Sequence, residues 1–360
     1  MRAPLKALRV LAGPIARAHL RERGLRPDDV RVIPAAAGGP KGLILNPLDR
    51  FLFGQWLPRG NHEVHLIGAS IGSWRMAAAC AADADQSLAA MADAYVHQTY
   101  DHAPGRAPEA ALVSRVFRET LQQQLGHRAA ELLSHPRLRL HVVTSHGRGL
   151  LGREGRLRTP LGYGLAFAGN LLTRASLGLS LERVVFSDPR SPLPLPLDDF
   201  RSLQRPLDAR NLVDSVLASC SIPFWLKAVH DIPGGPAGAY WDGGITDYHL
   251  HWPYQRMTHG LALYPHFQHT LVPGWLDKAL SWRHGSTSAL DRVVVLAPKS
   301  EWVAGLPGAK LPDRADFQQY GDDVPARIRA WQAAIAQSQR LADEFAQLVE
   351  SGQGIDAEPL

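Results

Sequence analysis

The sequence predicts an α/β protein with a largely parallel central sheet, and three features carry that expectation. Short apolar runs rich in β-branched residues alternate with longer segments of helical pattern. Two glycine-rich stretches each follow such a run and open a helical segment. No shift in composition and no internal repeat divides the chain, so one domain is expected despite a length of 360 residues.

The elements follow in order. Met1 to His19 sets Arg2, Lys6, Arg9 and Arg17 among Leu5, Leu8, Val10, Leu11 and Ile15, and reads as a basic amphipathic helix. Packing on the domain is its plain role, and contact with a membrane surface the alternative. Arg9, Gly13, Pro14 and Arg17 interrupt the clean apolar core that a signal peptide needs. This helix opens an N-terminal segment, 1–29, ahead of a main domain over 30–324 and a C-terminal helical segment, 325–360, packed on it. Val30 to Ala35 is the first strand, followed by Gly38-Gly39-Pro40-Lys41-Gly42 and a helix-like stretch from Leu43 to Phe53. Val64 to Ile67 is the second strand, leading through Gly68-Ala69-Ser70-Ile71-Gly72 into the alanine-rich Met76 to Ala82.

Ala89 to Gln98 and Pro108 to Leu125 have helical patterns, and Leu138 to Val143 and Arg183 to Phe186 read as strands. Alternating leucine and proline from Leu193 to Leu197 predict an extended surface loop. Asn211 to Ser219 reads as a helix capped by Asn211, with Asp214 three residues on. Val293 to Leu296 is a late strand, and Pro325 to Glu350 a long amphipathic helix.

Composition removes several classes of protein. With 45% hydrophobic and 20% charged residues the chain is no disordered segment. A net charge of +5, from 39 basic and 34 acidic residues spread along the chain, lacks the clustered footprint of a nucleic-acid binder. It favours anionic surfaces only weakly. Cys80 and Cys220 are too few for a disulfide framework or a four-thiolate metal site, and suit a reducing cytoplasm. No apolar run reaches 18 residues; the longest, Thr159 to Thr173, carries Gly162, Gly164, Gly169 and Asn170, so no membrane span is expected.

Ser70 carries the strongest chemical signal. A serine in Gly-x-Ser-x-Gly on a tight strand-to-helix turn projects its hydroxyl, while the glycines relieve Cβ clashes. The N–H of Ile71, at the helix start, then faces a developing oxyanion. The loop at 38–42 has neither dinucleotide-binding nor Walker spacing, so its free N–H groups are read as an anion cradle, against the alternative of a plain turn. Pro40 has no N–H, which leaves Gly38, Gly39, Lys41 and Gly42 as donors. Asp242, in Trp241-Asp242-Gly243-Gly244, is either the head of a hairpin turn or a general base for Ser70.

Sixteen histidines complicate the choice of base. His249, His251, His259, His266, His269 and His284 follow Asp242, without a recognisable spacing to an acid. His249-Leu250-His251 offers two metal ligands on one strand face but no third.

The order of the glycine-rich loop, Ser70 and Asp242-Gly-Gly resembles the patatin-like phospholipase family. Ala218-Ser219-Cys220-Ser221-Ile222-Pro223 is similar to the stretch that precedes that family's aspartate. The resemblance spans roughly Val30 to Asp247, with Ala37 in place of the first loop glycine and Lys41 in place of the commoner arginine. It implies a three-layer α/β/α sandwich and a Ser70–Asp242 dyad that hydrolyses lipid esters. It implies an oxyanion hole from Gly38, Gly39, Lys41, Gly42 and Ile71, and no cofactor or metal. Two rivals stand beside it: a histidine-dependent carboxylesterase or thioesterase, and a non-catalytic lipid-binding protein of the same fold.

The partners expected are a lipid or other acyl ester and, peripherally, a membrane surface, with no nucleic acid; the sequence does not specify an oligomeric state. For the membrane, the aromatic stretch from Trp252 to Trp282, with Tyr254, Tyr264, Phe267 and Trp275, is read as a partly mobile wall that docks on lipid.

Overall fold

The computed structural model describes residues 6–101 and 107–360. Its centre is one mostly parallel sheet of eleven strands flanked by helices, the α/β sandwich that the alternating pattern predicts. The strands are β1 (Leu8–Ala12), β2 (Val30–Ala35), β3 (Val64–Ala69), β4 (Leu138–Gly147), β5 (Leu181–Ser187) and β6 (Ser202–Pro206). They continue with β7 (Val229–His230), β8 (Ala239–Trp241), β9 (Leu261–Pro265), β10 (Val293–Pro298) and β11 (Glu358–Pro359). Their order is β11-β1-β10-β9-β2-β3-β4-β5-β6, with β8 on β4 and β7 on β8.

From β10 through β4 every pairing is parallel. The predicted first and second strands lie in the middle of this run. Both faces of such a sheet are covered, so its strands are apolar almost throughout; every residue of β3, β9 and β10 is buried.

Three local expectations are corrected. Residues 8–12 are not part of an amphipathic helix but the strand β1, antiparallel to β10 from Leu8–Pro298 to Ala12–Val294. Helix begins only at Pro14 and ends at Arg23, and Met1 to Leu5 lie outside the described residues. The stretch from Leu43 to Phe53 is not one helix: a 3-10 turn (Gly39–Leu45), a short α-helix (Asn46–Phe51) and a π-turn (Leu52–Trp56) succeed one another. Asn211 does not cap helix Leu212–Ser219 with its side chain. Its amide instead donates to the carbonyls of Pro206 and Pro233, both at 3.0 Å. Thr159–Thr173 does lie in a helix, Arg158–Leu172, and among the described residues no helix is long and apolar enough to cross a membrane.

The aromatic stretch is also corrected. Trp252, Tyr254, Tyr264 and Phe267 are core residues, each 2% exposed or less. Tyr264 lies on β9 between β10 and β2, and the tyrosine hydroxyls donate to carbonyls, Tyr254 to Leu250 and Tyr264 to His249, both at 2.8 Å. The part of that stretch left at the surface includes Trp275 and Trp282.

One buried ion pair joins two elements that matter for the site. Arg75, on helix Ile71–Ala79, donates to Asp49 on helix Asn46–Phe51 through Nε at 2.7 Å and Nη2 at 2.8 Å. Both side chains are buried, and burial pushes the Asp49 carboxyl above its ordinary value while Arg75 opposes the shift. The pair clamps the helix that follows Ser70 to the helix that follows the glycine-rich loop. Removing one partner strands a charge in the core. Arg75→Met is therefore predicted to cost about 3–5 kcal/mol in urea unfolding, and Arg75→Met with Asp49→Asn to restore much of it. A single-variant cost below about 1 kcal/mol would assign the clamp no structural role.

Candidate active site

Ser70 sits at the carboxyl end of β3, where open parallel sheets place their ligands. Its backbone has φ 54° and ψ −129°, a conformation a non-glycine residue holds only under constraint from its surroundings. The constraints are visible. Ser70 N–H donates to Ser219 Oγ at 2.9 Å, and the Ser219 hydroxyl donates to the Val143 carbonyl at 2.6 Å. Ser73 Oγ donates to the Ser70 carbonyl at 2.6 Å. The flanking glycines are required by close approach: a Cβ on Gly72 would stand 2.0 Å from the Ala35 carbonyl oxygen, and one on Gly68 2.3 Å from Ser73 Cα. Helix Ile71–Ala79 thus starts tightly against β2 and turns the hydroxyl outward.

Asp242 arrives from the other half of the chain. β8 ends at Trp241, and Asp242-Gly243-Gly244 leads into the short helix Gly244–Asp247, not into a hairpin. Asp242 N–H donates to the Ser221 carbonyl at 2.9 Å and Gly243 N–H to the Ser219 carbonyl at 3.0 Å. A Cβ on Gly243 would lie 2.1 Å from the Val143 carbonyl oxygen, so glycine alone permits this approach. Behind the turn, the fully buried Arg183 of β5 holds Asp247 through Nε at 2.7 Å and Nη2 at 2.6 Å.

These supports bring together two side chains 172 positions apart. Ser70 Oγ donates to Asp242 Oδ2 at 2.7 Å, and Gly244 N–H donates to Oδ1 at 2.7 Å. Burial pushes the Asp242 carboxyl up to about 6; Arg314, the Ser70 hydroxyl and the Gly244 N–H pull the other way. A carboxylate near 6 is ionised at neutral pH yet more basic than an exposed one.

Two cavities meet at Ser70. One, of about 460 Å³, is mainly apolar, with Ile71, Val113, Phe117, Trp225, Leu226 and Phe317 in its wall. The other, of about 290 Å³, is the more polar of the two and holds Asp242 together with Lys41, Lys278 and Arg314. Among the described residues none of these three cations has an ion-pair partner; Asp313, in the same wall, pairs with Lys310 at 2.9 Å. Lys278 lies 4.0 Å from the Tyr248 ring centroid. Burial, with Lys41 and Arg314 adding to it, pushes Lys278 down to about 8.

The predicted oxyanion residues fall around the serine. Gly38 and Lys41 line the polar cavity, and Gly39 and Ile71 the apolar one. Gly42 lies further back, its Cα side against Ile71 and Arg75, and lines neither. Ala37, where a glycine was expected, is buried against the Asp-Gly-Gly turn; a Cβ on Gly244 would be 2.5 Å from the Ala37 Cβ. Phe267 packs beneath Gly38, which explains its burial.

None of the six candidate histidines lines either cavity. His249 and His266 are buried, their rings 4.4 Å apart, and burial holds both well below the ordinary histidine range. His249 Nδ1 accepts the Val272 N–H at 2.9 Å, and among the described residues no group of three or more His, Cys, Asp or Glu could hold a metal.

Four contributors escaped the sequence. Ser219 had a signal, the Ala-Ser-x-x-x-Pro stretch, but not its bridging role. Arg183 had none, because its partners lie 64 and 16 positions away. Lys278 and Arg314 belong to no motif and reach the serine only through the tertiary fold.

Fold and site together define an α/β protein with a serine elbow and a carboxylate as its hydrogen-bond partner. The family model described as patatin-like phospholipase matches residues 57–249, more than half of the chain, and the chain belongs to that family. It is thus a member of a family of lipid acyl hydrolases. No curated protein matches the chain in sequence.

Proposed function

We propose that the protein is a serine hydrolase of lipid acyl esters that works with a Ser70–Asp242 dyad. The observation that carries this reading is the 2.7 Å hydrogen bond from Ser70 Oγ to the buried Asp242 Oδ2 at the junction of an apolar and a cationic cavity. Asp242 takes the hydroxyl proton as Ser70 Oγ attacks the ester carbonyl. N–H groups of Gly38, Gly39, Lys41 and Ile71, which line the two cavities, supply the donors for the tetrahedral oxyanion; Gly42, set further back, is left out of this role. The proton on Asp242 passes to the departing alcohol, leaving an acyl-serine. Asp242 then deprotonates a water that attacks this ester, and the proton returns to Ser70 as the fatty acid leaves. The apolar cavity takes the acyl chain, and the three unpaired cations take an anionic group on the alcohol side. The histidine-dependent alternative lacks support, because no candidate histidine approaches the serine.

Ser70→Ala and Asp242→Asn are each predicted to lower turnover of a short soluble ester by on the order of 1,000-fold or more, and the double variant by no more than the worse single one. Near-normal turnover in Asp242→Asn would remove the dyad from the reading.

The pH profile tests the electrostatics. Asp242 acts as its ionised form, so kcat/KM should fall about tenfold per pH unit below about 6. For an ester with an anionic alcohol a second limb should appear above about 8, where Lys278 loses its charge, and a neutral ester should lack it. Lys278→Arg should move that upper limb to higher pH, since arginine stays protonated. An upper limb shared by neutral and anionic esters would detach the cations from substrate binding.

A further inference from the structure

Eleven large apolar side chains are exposed among the described residues, and eight of them lie on helix Arg158–Leu172, at its ends or on segments packed beside it. Monomeric proteins seldom gather exposed apolar groups in this way. The helix buries Thr159, Gly162, Tyr163, Ala166 and Asn170, which fall on one side at 3.6 residues per turn. On the opposite side stand Leu157, Leu161, Leu165 and Leu172, with Leu157 84% and Leu172 88% exposed. Between Arg158 and Arg174 this helix carries no charge. An ordinary surface helix turns polar residues outward; this one turns leucine outward on its free side.

What surrounds the leucines says what covers them. From Arg148 to Ser180 the chain has five arginines and one acid, Glu154. Glu154 is already spoken for by Lys227, Nζ to Oε1 at 3.1 Å. Arg153, Arg156 and Arg158, at the start of the helix, are exposed, and none has an ion-pair partner among the described residues. A leucine face edged by free guanidinium groups matches acyl chains below anionic head groups. The face is also continuous with the site. Tyr163 on the helix meets the exposed Phe224 ring at 6.3 Å, and Trp225, next in sequence, is part of the wall of the apolar cavity at Ser70.

We infer that helix Arg158–Leu172, with Phe224 and Trp225, is the surface by which this protein docks on an anionic lipid bilayer. The helix lies in the interface and does not cross it, since 15 residues rise only about 22 Å. Its leucines enter the acyl region, Arg158 and the arginines just before the helix, Arg153 and Arg156, hold the head groups, and Trp225 leads the lipid toward Ser70. This role rests on the lipid-hydrolase reading for its purpose but not for its detection.

The test is sedimentation with vesicles of phosphatidylcholine containing phosphatidylglycerol, using Ser70→Ala protein so that nothing is consumed. Wild-type surface on this background should bind. Adding Leu161→Ser, Leu165→Ser and Leu172→Ser should weaken binding by about 100-fold. Adding Arg153→Gln, Arg156→Gln and Arg158→Gln instead should remove the preference for the anionic vesicles and the salt dependence with it. Placed in the active protein, the leucine substitutions should leave turnover of a short soluble ester and the unfolding temperature unchanged, because the side chains are already exposed. Equal binding by the leucine variant, or no vesicle binding by any form, would overturn the assignment. So would a wild-type dimer that the leucine variant turns into a monomer, which would give the face to a second copy of the chain. Loss of soluble-ester turnover in Asp242→Asn reads the dyad separately, so failure of one reading is distinguishable from failure of the other.

Discussion

Residues 219 to 221 hold the two halves of the site in register, and the rest of the geometry depends on them. The Ser219 hydroxyl accepts the Ser70 N–H and donates to β4, while the Ser219 and Ser221 carbonyls accept the N–H groups of Gly243 and Asp242. A serine on a strained turn and a carboxylate from a distant loop are thereby fixed to one short segment. Helix Leu212–Ser219 brings that segment to Val143 of β4, which pairs with Ala69 at the end of the parallel neighbour β3. The glycines at 72 and 243 follow from the same constraint, because each faces a backbone carbonyl oxygen at about 2 Å from where a Cβ would be. A hydrogen bond of 2.7 Å between Ser70 and Asp242 is the product of that scaffold, not an accident of two flexible side chains.

Electrostatics completes the arrangement. Burial pushes the Asp242 carboxyl up, and Arg314 and Lys278 offset part of that shift. The same cations have no ion-pair partner among the described residues, and with Lys41 they outnumber Asp242 and Asp313, the acids in the wall of the polar cavity. Opposite it the other cavity is walled by aliphatic and aromatic groups. Ser70 therefore stands where an amphiphile would place its ester bond. An apolar face at the surface adjoins this cavity through Phe224 and Trp225.

Much of this was legible in the sequence, for physical reasons. The central strands read clearly because a covered parallel sheet makes its strands apolar without interruption, as Val293 to Leu296 shows. Ser70 and Asp242 were legible because close backbone approach admits only glycine beside them. What was hidden depends on contacts distant in sequence. Leu8 to Ala12 is a strand because β10 and β11, some 290 and 347 positions on, flank it; a basic apolar pattern in isolation reads as an amphipathic helix. Tyr254 and Tyr264 look like surface aromatics until their hydroxyls are seen bonded to carbonyls inside the core. The leucines of helix Arg158–Leu172 belong, in sequence, to a run too short to span a membrane, and no local pattern says which face stays uncovered. Lys278 and Arg314 had no signal at all: an unpaired cation is a property of the folded neighbourhood.

The proposed chemistry turns on activation of Ser70 by Asp242. Labelling with a serine-reactive fluorophosphonate, read by peptide mass, measures that activation without assuming a substrate. The account predicts one label, on the peptide containing Ser70, absent in Ser70→Ala and formed at least about 100-fold more slowly in Asp242→Asn at neutral pH. Labelling at another residue, no labelling, or an unchanged rate in Asp242→Asn would contradict it.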